Sequence, residues 1–89
     1  MKVHELKTIP PHFGEMKEGF KRWELRRDDR GFRVGDLLHL LEWDAVRSQH
    51  TGRHLLVRVE RIRSELPGAG LAEGFVIMDI QRVKLEPAD

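Results

Sequence analysis

The sequence predicts an α+β domain that is mainly β: a small β-barrel of about five strands, capped by one N-terminal helix. Three observations support this prediction. The 89 residues suffice for one domain with one core. Apolar residues follow the proline pair Pro10-Pro11 at helical spacing. Beyond Gly19, apolar residues alternate with polar ones between turn signals, as they do in strands.

The first strand and the helix are predicted from the N-terminal residues. Residues 3–9 alternate loosely between apolar and polar side chains, which indicates a strand. Proline is favoured in the first turn of a helix, and Phe13 and Met16 follow three residues apart. Gly19 stands where a left-handed C-cap would lie, so the helix is predicted over residues 10–18.

The second strand is predicted over residues 22–27. Strict alternation places Trp23 and Leu25 on one face, which we assign to the core because a tryptophan in so small a domain is usually buried. The opposite face carries the charged residues Arg22, Glu24 and Arg26.

The middle of the chain predicts a turn, a central strand and a hairpin. Residues 28–31 form a turn signature, and residues 37–43 are apolar on both faces, as in a central strand of a curved or closed sheet. A loop over residues 48–52 then leads into a fourth strand over residues 54–63.

The C-terminal part predicts a mobile connection at residues 67–70 and a last strand over residues 75–85, with a bulge near residues 81–82. The domain is predicted to span residues 1–85, and residues 86–89 to be a disordered tail. The expected core comprises Trp23, Leu25, Leu38, Leu40, Leu55, Val57, Val59, Ile77 and Ile80.

Composition removes several classes of function. The chain has no cysteine, which excludes disulfides, thiol catalysis and Cys-based metal sites. Its five histidines lack the spacing of a helical zinc motif, and neither a nucleophile elbow nor a phosphate loop is present, so we expect no metal and no cofactor. No apolar run is long enough to cross a bilayer and residues 1–5 lead into no apolar signal region, so we expect a cytoplasmic protein without membrane contact.

The formal net charge of +1 does not by itself indicate a nucleic-acid binder, but the distribution of cations is uneven. Residues 21–27 and residues 53–63 each contain four cations and one glutamate. These windows are either solvated strand faces with ion pairs or parts of a binding surface for phosphate or carboxylate. If both windows lie in one small barrel, we expect them to form a single cationic face.

The segment after the helix holds the candidate site. Lys21, Glu24 and Arg26 lie within six residues, and strict alternation places Glu24 and Arg26 on one strand face. Such a group either grips a polar ligand, with arginine on phosphate or a base edge and glutamate on an exocyclic amine, or forms a salt-bridged structural cluster. Spacing alone leaves both interpretations open.

The order Gly-x-Lys-x-x-Glu-x-Arg at Gly19, Lys21, Glu24 and Arg26 resembles the signature of the ASCH domain, a branch of the PUA-like superfamily. The similarity extends over residues 3–82 and is greatest to a small subfamily of uncharacterised bacterial and phage ASCH-like proteins. Further matching segments are residues 4–7, 28–32, 34–36, 42–44, 51–53 and 74–77, together with Phe13. The resemblance implies a PUA-like β-barrel with a cleft between helix and barrel, where the motif residues gather.

The family resemblance also implies a choice of functions. PUA-like domains generally bind RNA or modified bases, and some ASCH proteins are amidohydrolases of acylated cytidine or ribonucleases. The amidohydrolase type uses a lysine, a threonine and a glutamate from a later helical segment. Lys21 matches the lysine, but Glu24 stands in the place of the threonine, and residues 64–73 are too few for the extra helix.

The sequence therefore favours a monomeric domain that binds RNA or a nucleotide-like ligand in a cationic cleft. Lys21 and Arg26 would hold phosphate or a carbonyl edge, while Glu24 would orient Arg26 or accept from an amine. The wider positive rim is expected from Lys7, Arg27 and Arg30. The alternatives are a small hydrolase or a metal-independent ribonuclease with Lys21 and Glu24 as catalytic candidates, and a protein-interaction adaptor without pocket chemistry.

Overall fold

The computed structural model describes residues 1–65 and 70–84, in which it has one short helix and five strands. In chain order these are β1 (Val3–Thr8), α1 (Pro10–Lys17), β2 (Trp23–Arg27), β3 (Leu37–Asp44), β4 (Gln49–Arg63) and β5 (Phe75–Arg82). The mainly β architecture is thus confirmed, whereas the predictions for residues 67–69 and 85–89 fall outside the described residues. No described helix is long and apolar enough to span a bilayer.

The five strands form one curled half-barrel sheet in the order β1-β3-β4-β5-β2. Strand β1 pairs parallel with β3, and the other neighbours pair antiparallel. The expected complete closure is wrong for the described residues, because β1 and β2 remain the two edges of the sheet. Side chains instead of a backbone ladder connect these edges.

Helix α1 ends in the way its sequence predicts. Gly19 adopts φ +85°, the left-handed conformation that glycine reaches without steric cost. Its N–H donates to the Met16 carbonyl at 3.2 Å, and the Phe20 N–H donates to the Glu15 carbonyl at 2.8 Å. These two bonds form a Schellman motif, which stops the helix and turns the chain towards β2.

The core lies on the concave side of the sheet, beneath α1. Its buried apolar residues are Leu6, Phe13, Met16, Phe32, Leu38, Leu40, Leu55, Val57, Val59, Val76, Met78 and Ile80. Six of the nine predicted core residues are among them, namely Leu38, Leu40, Leu55, Val57, Val59 and Ile80. Ile77 is only half-buried, since it lies on the convex face of β5 between buried Val76 and Met78.

The predicted orientation of β2 is wrong. Trp23 and Leu25 are 44% and 46% exposed, whereas Glu24 is buried. Alternation correctly separates the two faces of the strand but does not say which one faces inward. The glutamate can face inward because Arg26, two residues further on the same face, pairs with it.

Two irregularities lie elsewhere than predicted. Val59 pairs with Ile80 and Arg61 with Asp79, so the extra residue is Glu60 and the bulge is in β4, not near residues 81–82. Residues 48–52 are not the hairpin loop either. The turn covers residues 45–48, and Asp44 Oδ1 stabilises it by accepting from two backbone N–H groups.

A buried carboxylate joins the start of β1 to the loop before β3. Asp36 Oδ2 accepts from His4 Nε2 at 2.9 Å and from the Arg33 N–H at 3.0 Å, and Oδ1 accepts from the Lys2 N–H at 3.0 Å. The His4 hydrogen bond, followed by those of the two backbone N–H groups, lowers the pKa of Asp36 to about 2 against the opposing effect of burial. The ionised form is therefore part of the folded structure.

This pKa predicts loss of stability in acid. Because the folded pKa of Asp36 lies below its ordinary value of 3.8, its contribution is fully present above about pH 4 and is lost as the pH falls towards about 2. Asp36→Asn should lower the free energy of unfolding by about 1.5–3 kcal/mol at neutral pH, the usual worth of hydrogen bonds to a charged group. Urea titrations should show this difference shrinking through the same acid window.

The control is Asp29→Asn, because the side chain of Asp29 is 64% exposed. We expect it to change stability by less than about 1 kcal/mol at any pH. A wild-type advantage over Asp36→Asn that stays constant from pH 5 to pH 2 would contradict the assignment.

Candidate functional site

A cleft of about 330 Å³ opens where β1 ends, α1 begins and β2 passes by. It lies on the unclosed side of the half-barrel, between the two edge strands. Its lining residues are Lys7, Thr8, Ile9, His12, Lys21, Trp23, Glu24, Leu25 and Arg26. The three central residues of the sequence motif, Lys21, Glu24 and Arg26, thus share one concave surface with Lys7.

Glu24 and Arg26 form the floor of this cleft. They lie two residues apart on one face of β2, and Arg26 Nε donates to Glu24 Oε2. The side chain of Glu24 is 5% exposed and that of Arg26 is 27% exposed. A buried carboxylate needs such a partner, because an isolated charge in the interior is costly.

Arg26 also connects the two edges of the sheet. Its Nη2 donates to the Lys7 carbonyl of β1 at 2.9 Å and lies 3.5 Å from Thr8 Oγ1. Arg30 makes a similar connection, since its Nη1 donates to the Glu5 carbonyl at 2.7 Å. Two carbonyls of β1, those of Glu5 and Lys7, therefore accept from guanidinium groups where a closed barrel would supply a strand.

One oxygen of Glu24 has no hydrogen-bond partner among the described residues. Every buried side-chain nitrogen or oxygen in the described part of the chain has a hydrogen-bond partner. Of the two carboxylate oxygens of Glu24, only Oε2 accepts from a described residue, so Oε1 is not fully buried, and Glu24 lines the cleft. The cleft therefore offers a charged acceptor that an N–H donor can approach.

Lys21 lies at the opposite wall, where the chain leaves the helix. Its backbone N–H donates to the Glu15 carbonyl at 3.1 Å, which fixes its position. Its Nζ is 3.2 Å from His12 Nδ1 and 4.4 Å from the centre of the Trp23 ring. An ammonium has three donors, so Lys21 can still bind an anion or a carbonyl oxygen.

The remaining predicted site residues lie further out. The Lys7 Nζ sits 3.9 Å over the Trp43 ring, although Lys7 is itself one of the residues that line the cleft. The Arg27 guanidinium lies 4.9 Å from the Phe75 ring, and Arg30 is engaged with the Glu5 carbonyl. Neither arginine lines the cleft, so the positive rim is narrower than the sequence suggested.

The two arginine-rich windows do not form one cationic face. Arg26 points into the concave side, whereas Arg58 and Arg63 lie on the convex side and pair with Glu60 and Asp79 at 2.9 and 3.1 Å. Arg53 lies near α1, where its Nε is 3.5 Å from a Glu42 oxygen. Much of the second window therefore fits the interpretation as a face with ion pairs.

Sequence reasoning missed several residues of the cleft: Thr8, Ile9, His12, and the exposed sides of Trp23 and Leu25. Thr8 could have been found, because alternation in β1 places it on the same face as buried Leu6. His12 carried no such signal, since its contact with Lys21 depends on the path of the chain after Gly19. Among residues 1–65 and 70–84, no three His, Asp or Glu side chains gather as a metal site.

Comparison with known proteins gives a family and one relative. The model of a family described as "Domain of unknown function (DUF3850)" matches residues 3–80. An "Uncharacterized 12.9 kDa protein in GpA 3'region" of Escherichia phage P2 is 41% identical over 58 residues. The aligned stretch covers 65% of this chain and 51% of the phage protein, so it spans about half the length of that relative.

The pair of Glu24 and Arg26 predicts a specific stability pattern. Arg26→Ala should lower the free energy of unfolding by about 2–4 kcal/mol, because it leaves the buried Glu24 carboxylate without its ionic partner. The loss should not be larger, because Arg26 itself is partly exposed. Adding Glu24→Gln should recover about half of this loss by removing the charge. Urea denaturation of both variants measures the two effects.

The chain offers a matched control in Arg58→Ala. Arg58 also pairs with a glutamate two residues away on a strand, but both side chains are about half exposed. We expect a loss below about 1 kcal/mol. Equal losses for Arg26→Ala and Arg58→Ala would mean that the Glu24 pair is no more than a surface ion pair.

Proposed function

Because the chain belongs to the family described as a domain of unknown function (DUF3850), we infer its role from its own cleft and propose that it binds RNA or a nucleotide-like ligand there. The proposal rests on one observation, the presence of four complementary residues around the same cleft. Glu24, which has one oxygen without a hydrogen-bond partner, the cations Lys21 and Arg26, and the half-exposed Trp23 line the same cleft.

Each of these groups matches one part of a nucleotide. A carboxylate accepts from an exocyclic amine of a base, and arginine or lysine donates to a carbonyl edge or to phosphate. A tryptophan ring stacks on the flat face of a base. A carboxylate beside two cations favours a ligand with both donors and acceptors over a simple anion.

The dimensions of the cleft support the same ligand class. Its volume of about 330 Å³ is at the lower end of the range for ligand pockets, roughly 300–1,000 Å³. This suits a single nucleotide unit better than a broad macromolecular interface. The ring of Trp23 provides one stacking surface, and with no tyrosine in the chain few other side chains offer one.

We also propose that the half-barrel is a PUA-like domain of the ASCH branch, acting as a monomer in the cytoplasm. The helix beside the sheet, with Lys21, Glu24 and Arg26 lining the cleft between them, supports this assignment. The order of the sequence motif supports it independently. RNA and nucleotides are available as ligands in that compartment.

The binding proposal predicts a salt-dependent interaction with RNA that the fluorescence of Trp23 should report. In Trp43→Phe, Trp23 is the remaining tryptophan, so its fluorescence should change when an RNA oligonucleotide binds. The logarithm of affinity should fall with the logarithm of salt concentration with a slope of about −2 to −4 if three to five phosphates are contacted. Lys21→Ala should weaken binding about tenfold, which corresponds to about 1.4 kcal/mol.

The matched control is Arg47→Ala, which removes a cation from the hairpin turn, where the side chain is 75% exposed. It should leave affinity within about twofold of wild type, because it contacts neither the cleft nor a ligand phosphate. Absence of RNA and nucleotide binding at low salt would contradict the proposal and favour the alternative of a protein-interaction adaptor.

A hydrolase acting on an acylated nucleoside is the second candidate, and Thr8 is the observation that favours it. Its hydroxyl lines the cleft with Lys21 and Glu24, which brings together the three residue types that the resemblance associates with amidohydrolysis. Against it, the Thr8 hydroxyl and the Glu24 carboxylate both lie beside the Arg26 guanidinium, which donates hydrogen bonds and takes no proton from a nucleophile. A metal-independent ribonuclease with Lys21 and Glu24 meets the same objection.

We therefore expect no turnover of acetylcytidine or of labelled RNA by the wild-type protein above background, measured by chromatography of the products. Thr8→Val and Lys21→Ala provide the comparison, because each removes one candidate reactive group, and Thr8→Val does so with little change in shape. Wild-type turnover that disappears in both variants would make the protein an enzyme and overturn our preference.

A further inference from the structure

A second groove, of about 230 Å³, lies at the C-terminal end of α1 and shares Lys21 with the cleft. It is lined on one side by the helix end and on the other by the last residues of β5. Its charged lining residues are Lys17, Glu18, Lys21, Arg22 and Arg82. Four cations therefore face one carboxylate around a concave surface that continues from the cleft.

These cations differ from most arginines of the described chain in lacking an ionic partner. Arg26, Arg30, Arg47, Arg53, Arg58 and Arg63 each lie within 4.0 Å of a carboxylate. Within the described residues, none of the four cations of the groove does, and Glu18 pairs with none of them. Their charge is thus available to an anion from outside.

The end of the helix orients two of these cations and leaves most of their hydrogen-bond donors free. Arg82 Nη1 donates to the Lys17 carbonyl at 3.2 Å, and Arg22 Nε lies 3.4 Å from the Gly19 carbonyl. A guanidinium has five N–H donors, so each arginine keeps others for a ligand. These donors and the Schellman motif satisfy the last carbonyls of the helix, which reduces the repulsion that its negative end exerts on an anion.

We propose that this groove binds the phosphate that neighbours the nucleotide in the cleft, so that the ligand is single-stranded RNA and not a free mononucleotide. This inference rests on the proposed function and adds that the ligand extends beyond one nucleotide into the second groove. The shared Lys21 lies between the base-binding groups and the second groove, where a phosphodiester connects two nucleotides. A strand that lies along both grooves neutralises cations that have no other partner.

The test compares an RNA octamer of mixed sequence with nucleoside monophosphates, using Trp23 fluorescence in the Trp43→Phe background. We expect the octamer to bind at least tenfold more tightly than any monophosphate. Arg82→Gln and Arg22→Gln should each weaken octamer binding about three- to tenfold and reduce the salt slope by about 0.7, the value for one phosphate contact on a single strand. Neither should change monophosphate affinity more than twofold.

Arg61→Gln is the matched control, because Arg61 is an exposed arginine that lines neither groove and has no carboxylate within 4.0 Å among the described residues. It should leave octamer binding unchanged. Arg82→Lys should restore most of the affinity by restoring the charge, and circular dichroism should show the same fold for every variant.

Each other outcome has a distinct meaning. If monophosphates bind as tightly as the octamer, or if Arg61→Gln weakens octamer binding as much as Arg82→Gln, the second groove is not a phosphate site, although the cleft remains a nucleotide site. If an acidic peptide competes as well as RNA, the groove takes carboxylates and the inference is wrong. If neither RNA nor nucleotide binds, the proposed function itself fails.

Discussion

The contact between Arg26 and Glu24 holds the half-barrel in its observed shape. A carboxylate as buried as Glu24 is tolerated only with an opposite charge beside it. The same guanidinium donates to the Lys7 carbonyl, so one side chain both neutralises the charge of Glu24 and connects β2 to β1. Because a side chain is longer than a backbone hydrogen bond, the two edge strands are held apart, and the cleft is the space that results.

This arrangement explains why an edge of the sheet is the place for a site. Exposed strand edges invite pairing with other chains, and proteins commonly block them with charged groups. Here Arg26 and Arg30 occupy carbonyls of β1, so the edge is protected without a covering strand. Arg26 is consequently both a structural and a candidate binding residue, whereas Lys21 and Trp23 line the cleft without connecting the two edge strands.

The sequence predicted most of the fold because local signals determined it. The Schellman end at Gly19 and the interior position of β3 follow from residues that are close together in the chain. The face of β2 was not predictable, since alternation is symmetric and the partner that permits burial of Glu24 also belongs to that strand. Likewise, the bulge at Glu60 depends on the pairing of β4 with β5, which no local pattern encodes.

The same inversion of β2 changes the chemistry of the site more than its shape. With Trp23 and Leu25 in the core, the charged residues of the motif would lie on an open strand face and bind only simple anions. With Glu24 and Arg26 turned inward, the charges become a recessed floor and the tryptophan ring becomes part of the rim. In the proposed function, this recessed acceptor beside cations and an aromatic ring would select a planar ligand with donors and phosphate, which net charge alone would not indicate.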